Sequence, residues 1–152
     1  MTYSQEEKGG CHLASKLLDD NDLKGLEAEF RKYKQFQINM ASIMLDRQWK
    51  EEDANFWVKS SNGNSEKALN DVIFKEGNVP YQINALKRQA VKDAFDNLSN
   101  ELKHIVTKYL WGEYSYLKWP EIAEMEYVSK STIYEWRYKI LETYAYSSGK
   151  LV

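Results

Sequence analysis

The sequence predicts an all-α fold: a long N-terminal helical segment followed by a C-terminal run of shorter helices. Three observations predict it. Apolar residues recur at spacings of three and four over most of the chain, the period of one helix face. No stretch of useful length alternates with the period of two that a half-buried strand needs. The 152 residues include only 2 prolines and 7 glycines, too little punctuation for a turn-rich β architecture. The length suits one ordinary domain or two small helical ones.

Residues 1–20 read as a flexible arm, because Glu6-Glu7-Lys8-Gly9-Gly10 carries no apolar period. Asp20 or Asn21 is placed to cap the helix that follows, since short polar side chains accept from the free N–H groups of a first turn. From Asp22 to about Lys59 the pattern is helical. Leu23, Leu26, Phe30, Tyr33, Met40 and Met44 fall on the three-four spacing, interrupted only by Gln37. Such a stripe must be covered, either by a second copy through a heptad seam or by the rest of the same chain. Those six residues are therefore the candidate dimer interface. Ile43, Trp49, Phe56 and Trp57 form a second cluster, so the far end packs differently. Ser60-Ser61-Asn62-Gly63-Asn64 reads as a loop. Ser65 opens a short amphipathic helix through Lys75, which Gly77 ends as a left-handed cap and Pro80 keeps from resuming. Residues 21–79 thus form a helical N-terminal region of dimerisation or partner helices, with a soft boundary between 60 and 80.

The C-terminal region spans 80–148. Ile83, Leu86, Ala90, Phe95 and Leu98 mark one helix. Ser99 caps the next, whose buried face is Leu102, Ile105, Val106, Tyr109 and Leu110, and Gly112 closes it. Pro120 sits in a first turn, where its missing N–H costs nothing. Ile122 and Ala123 begin a short helix, Tyr127-Val128-Ser129 breaks it, and Ser129 caps a last helix from Lys130 to about Tyr144.

The spacing of these last two helices matches a helix-turn-helix. Two closely crossing helices need a small residue inside the first, which Ala123 supplies, and an apolar plug in the turn, which Val128 supplies. Ile133, Trp136 and Ile140 take the inner face of the second helix. At about 100° per residue, Ser131, Glu135, Tyr138 and Glu142 point outward together, flanked by Tyr134 and Lys139. That polar and aromatic face suits a major groove, where side chains meet base-edge donors and acceptors.

The run IAEMEYVSKSTIYEW resembles the C-terminal helix-turn-helix of sigma-factor region 4. More closely it resembles the ArpU/RinA-type phage transcriptional regulators of Gram-positive bacteria. The resemblance rests on Trp119 before Glu121-Ile122-Ala123-Glu124, then Val128-Ser129, Ser131-Thr132-Ile133-Tyr134 and Trp136-Arg137, and it covers roughly residues 80–146. Glu126 stands where a core leucine or methionine is usual, Tyr127 where broader helix-turn-helix proteins have glycine, and Lys118 where a Thr or Ser cap is common. A non-glycine at 127 must accept a strained turn conformation costing on the order of 1 kcal/mol.

The resemblance implies a sequence-specific activator of a late prophage operon for packaging, morphogenesis or lysis, with double-stranded DNA as partner. Candidate DNA-contacting residues by position are Ser129, Lys130, Ser131, Thr132, Tyr134, Glu135, Arg137, Tyr138 and Lys139. Arg137 lies nearer the buried side, where it either reaches a backbone phosphate or braces the fold. Host RNA polymerase and a regulatory protein are further expected partners. Two other readings compete: a small terminase-like packaging subunit, and an interaction module that binds polymerase through its aromatic residues.

Charge and composition limit the rest. Lysines and arginines number 21 against 23 acidic residues, a formal charge of −2, which excludes a polybasic binder. Residues 84–152 hold 10 basic and 9 acidic side chains, so non-specific DNA affinity should be weak, and two joined reading heads would compensate. No phosphate-cradling glycine loop or zinc-protease motif occurs. Neither His12 nor His104 sits in a triad pattern, so no enzyme activity, cofactor or metal is expected. Cys11 is the lone cysteine, adjacent to His12. One cysteine and no signal peptide point to the cytoplasm, and no apolar run approaches a membrane span.

Overall fold

The computed structural model describes residues 17–54 and 63–152, with side chains for 17–50 and 66–152. Gly63 and Asn64, expected as loop, are already helical, so the helix expected from Ser65 starts before it; the Cys11–His12 pair, most of the expected arm, Phe56, Trp57 and Ser60-Ser61-Asn62 lie outside the described residues. Helices are the only regular elements among the described residues, with no strand among them. They are α1 (Asp20–Arg31), α2 (Tyr33–Ala54), α3 (Gly63–Gly77), α4 (Val79–Asp96), α5 (Asn100–Ile105), continued by a π-helical turn (Val106–Leu110), α6 (Trp119–Met125) and α7 (Lys130–Ser147). None is long and apolar enough to cross a membrane.

The cap of α1 falls one residue before the expected pair. Asp19 accepts from the Asp22 N–H at 2.8 Å, and Asp22 accepts in return from the Asp19 N–H at 3.2 Å. This reciprocal capping box ties off two N–H groups that the helix itself cannot pair. The expected continuous helix from Asp22 breaks at Lys32, so α1 and α2 are separate. The break frames Trp111, whose ring stacks on Tyr33 at 4.8 Å and on Phe30 at 5.4 Å and meets Phe95 at 5.1 Å. Its Nε1–H donates to the Phe30 carbonyl at 2.8 Å, in the last turn of α1, where helical carbonyls lack an in-helix partner.

Asn78 corrects a second boundary. Gly77 is not left-handed, and Pro80 does not hold the helix off. Asn78 accepts from the Tyr81 N–H at 2.9 Å and caps α4 at once, with Pro80 in the first turn, where it has no N–H to lose. Ser99 caps α5 as its spacing predicts, accepting from the Leu102 N–H at 3.3 Å. Gly112 follows the π turn closely: a Cβ there would lie 2.6 Å from the carbonyl oxygens of Thr107 and Lys108.

The core joins both ends of the chain. α4 packs on α2 and on α7, and α1 packs on α7. Leu23, Leu26 and Phe30 of α1 are buried in the same cluster as Val91, Ala94, Ile133, Ile140, Leu141 and Tyr144. The stripe taken for a dimer seam is therefore divided. Its first half covers this chain's own C-terminal helices, while Tyr33, Met40 and Met44 are half-buried on α2. The region from residue 80 onward is consequently not closed without α1. Lys150, just past α7, pairs with Asp22 near the start of α1 at 3.2 Å.

Candidate nucleic-acid interface

The pair α6–α7 is built from local signals. Pro120 opens α6, and Glu121 accepts from the Lys118 N–H at 3.2 Å, supplying one half of a capping box. Lysine has no acceptor atom, so the other half is absent. Ile122 and Ala123 are buried against α7. The turn closes when the Val128 N–H donates to the Ala123 carbonyl at 3.0 Å. This requires Tyr127 to be left-handed, at φ 56°, the only positive φ of a non-glycine among the described residues. Its ring gains nothing from burial, being 96% exposed. The departure from glycine at this position thus carries the strain that its sequence predicts.

Glu126 explains how a carboxylate replaces the usual apolar residue. One oxygen accepts from the Tyr109 hydroxyl at 2.5 Å, the other faces His104 Nε2 at 3.1 Å, and Lys108 Nζ lies at 3.6 Å. Burial alone would push the Glu126 carboxyl up. The Tyr109 hydrogen bond and the neighbouring His104 and Lys108 charges outweigh burial and hold it below its usual range. The residue staples the end of α6 to α5 and the π turn.

Ser129 caps α7, accepting from the Thr132 N–H at 3.1 Å. Its hydroxyl also lies 2.8 Å from Thr132 Oγ1 and 3.3 Å from Ser131 Oγ, so three hydroxyls gather at the helix start. Ile133, Ile140, Leu141 and Tyr144 bury one side of α7. Lys130, Ser131, Tyr134, Glu135 and Lys139 are exposed on the other, and Thr132 is half-buried beside them.

Arg137 lies on the inner side as its position predicts, and Tyr138, expected outward, turns inward. Arg137 donates from Nε to Glu27 Oε1 at 2.7 Å, which commits it to bracing. Tyr138 is half-buried against the core, and its hydroxyl accepts from the Leu18 N–H at 3.4 Å. Helical spacing alone leaves Tyr138 outside; the segment before α1 covers it from 120 residues away. Trp136 packs inward as its spacing predicts.

Glu27 is the positioning residue that sequence reading misses. Besides Arg137, its Oε1 accepts from Trp119 Nε1 at 2.9 Å, and its Oε2 accepts from Arg31 Nε at 3.0 Å. One carboxylate on α1 therefore holds the first residue of α6 and the middle of α7 together. Burial would raise its pKa. The hydrogen bonds from Arg137 and Trp119, with the charges of Arg31 and Arg137, hold it below the ordinary glutamate range. Tyr144 adds a parallel tie, donating to Glu29 Oε2 at 2.8 Å. No signal short of a contact between distant positions marks Glu27, which sits on a charged stretch like any solvated residue.

Among the described residues no group of three His, Cys, Asp or Glu side chains is placed to hold a metal ion. No protein-family model, curated protein or solved structure matches the chain.

Proposed function

We propose that the chain is a sequence-specific DNA-binding transcriptional regulator, with α6–α7 as its helix-turn-helix and α7 as the helix that enters the major groove. The observation that carries this reading is the two-sidedness of α7. One side is sealed into the core, while Lys130, Ser131, Tyr134, Glu135 and Lys139 are exposed on the other. A polar face on a helix whose other side is packed into the core is what base reading requires, because hydrogen bonds to base edges tolerate little misplacement. The Ser129, Ser131 and Thr132 hydroxyls at the start of α7 are of the type that grips phosphates and sets register. Glu135 is an acceptor for a cytosine amine. Arg137 and Tyr138 drop out of the reading set, as their partners are within the protein. The resemblance of residues 80–146 to ArpU/RinA-type regulators supports the narrower reading, an activator of a late phage operon that works with host RNA polymerase.

Selection from a random duplex pool tests this. The expected result is an enriched motif, with Glu135→Ala relaxing one position by about 1–3 kcal/mol of discrimination. Lys139→Ala should weaken all sequences alike and flatten the salt dependence. Failure to enrich any duplex, or a motif indifferent to Tyr134→Ala, Glu135→Ala and Lys139→Ala together, would overturn it.

A further inference from the structure

The molecule leaves a second stripe uncovered, distinct from the one buried with α1. On α4, Val79, Ile83 and Leu86 are exposed at spacings of four and three, within about 60° of one another on the helix wheel. On α3, Leu69, Val72 and Ile73 are exposed on one side as well. The opposite sides of both helices face α2: Asn84 bonds Asn39 at 3.0 Å, and Arg47 pairs with Asp71 and lies over the Phe74 ring at 4.6 Å. Both stripes therefore point away from α2.

We infer that this surface is the contact between two copies of the chain. Its six side chains leave on the order of 600 Å² of aliphatic surface open. Each partner gives roughly 800 Å² to a standard interface, a little over half of it apolar, so the available area matches what a stable pair needs. Val79, Ile83 and Leu86 follow the four-three spacing of a short helix seam, bounded by Glu76 on one side and Asp93 on the other. Charge is sparse along the α4 stripe, while Glu66 and Glu76 stand exposed beside the α3 stripe. The stripe on α4 is flanked by Pro80, Gln82 and Gln89, and its one flanking cation, Lys87, is paired with Glu29 at 3.7 Å. Leu86 also walls a cleft of 590 Å³ shared with Leu26, Ala90 and Tyr144, a concavity into which a partner's side chain can seat. A third exposed stripe, Ile38, Leu45 and Trp49, lies on the side of α2 opposite Asn39 and Arg47, which face α4 and α3, and serves as the control surface. The inference stands on these surfaces and does not depend on DNA binding.

Sedimentation equilibrium of the full chain at micromolar concentration tests it. The expected mass is twice the 17.9 kDa of one chain. Ile83→Glu and Leu86→Glu should each return it to a single chain, while Leu45→Glu leaves the pair intact. Because Ile83 and Leu86 are 48% and 69% exposed, the variants should keep the helical circular dichroism and melting temperature of a folded monomer. A monomeric wild type, a ring of more than two copies, or a dimer that survives both α4 substitutions overturns the assignment. Dissociation by Leu45→Glu alone would overturn it too, by moving the contact to α2.

Discussion

Two side chains set the geometry of the candidate reading unit, and each makes a measurable demand. Glu27 collects Arg31, Trp119 and Arg137 on one partly buried carboxylate. Glu27→Ala strands the Arg137 guanidinium and should cost about 3 kcal/mol in urea unfolding at pH 7. The pH dependence has a definite sign. The folded pKa of Glu27 lies below the unfolded one, so its stabilisation is complete above the ordinary glutamate value of about 4.3 and is lost as pH falls through the lower folded value. The gap between wild type and Glu27→Ala should therefore shrink in acid; a constant gap from pH 7 to pH 3 would remove Glu27 from this role. Tyr127 makes the opposite demand, since it stores strain without burying anything. Tyr127→Gly should raise stability by about 1 kcal/mol and Tyr127→Val should lower it, as a β-branched residue fits the left-handed region worst. Equal melting temperatures for all three would contradict the geometry.

At the scale of elements, helices whose signals are local match their sequence expectation. Ser99 and Ser129 cap where predicted, and Ile122, Ala123, Ile133 and Ile140 are buried as their spacing requires. These features depend on neighbours three or four positions away, which the sequence displays directly. The break at Lys32 carries neither glycine nor proline. It accompanies the seating of Trp111 between Phe30 and Tyr33, a contact made some eighty positions along the chain. The restart at Val79 is hidden for another reason, because proline both stops and starts helices and only the Asn78 cap separates the two cases. The π turn followed by Gly112 has its own test. Gly112→Ala would drive a methyl into two carbonyl oxygens and should cost about 1–3 kcal/mol by thermal melting. No loss would mean that the turn relaxes freely.

The whole molecule is organised differently from a reading head on a separable stalk. The expected boundary near residue 80 ignores α1, because the period of Leu23, Leu26 and Phe30 fits a second copy as well as it fits α7. Only the tertiary contacts decide, and they place Phe30 at 0% exposure beside Tyr144 and Trp111. Phe30→Ala should accordingly cost about 3–5 kcal/mol as a cavity in the core of one chain, and Phe30→Asp should unfold that chain rather than merely dissociate a dimer. A fragment of residues 78–152 should lack a cooperative melt that the chain from residue 17 onward shows. A fully cooperative fragment would restore the separate domain.

The distances in sequence between α1 and its partners have a consequence for synthesis. The bonds from Trp111, Trp119, Arg137 and Tyr144 to α1 span 81, 92, 110 and 115 positions. On the ribosome, the first described helix leaves the exit tunnel long before the residues that will cover it are made. Phe30 and its neighbours must wait bare until Tyr144 has emerged, and docking α1 is then a late act of maturation. A stalled or truncated product would carry that greasy ridge permanently, a handle for chaperones and for precipitation alike.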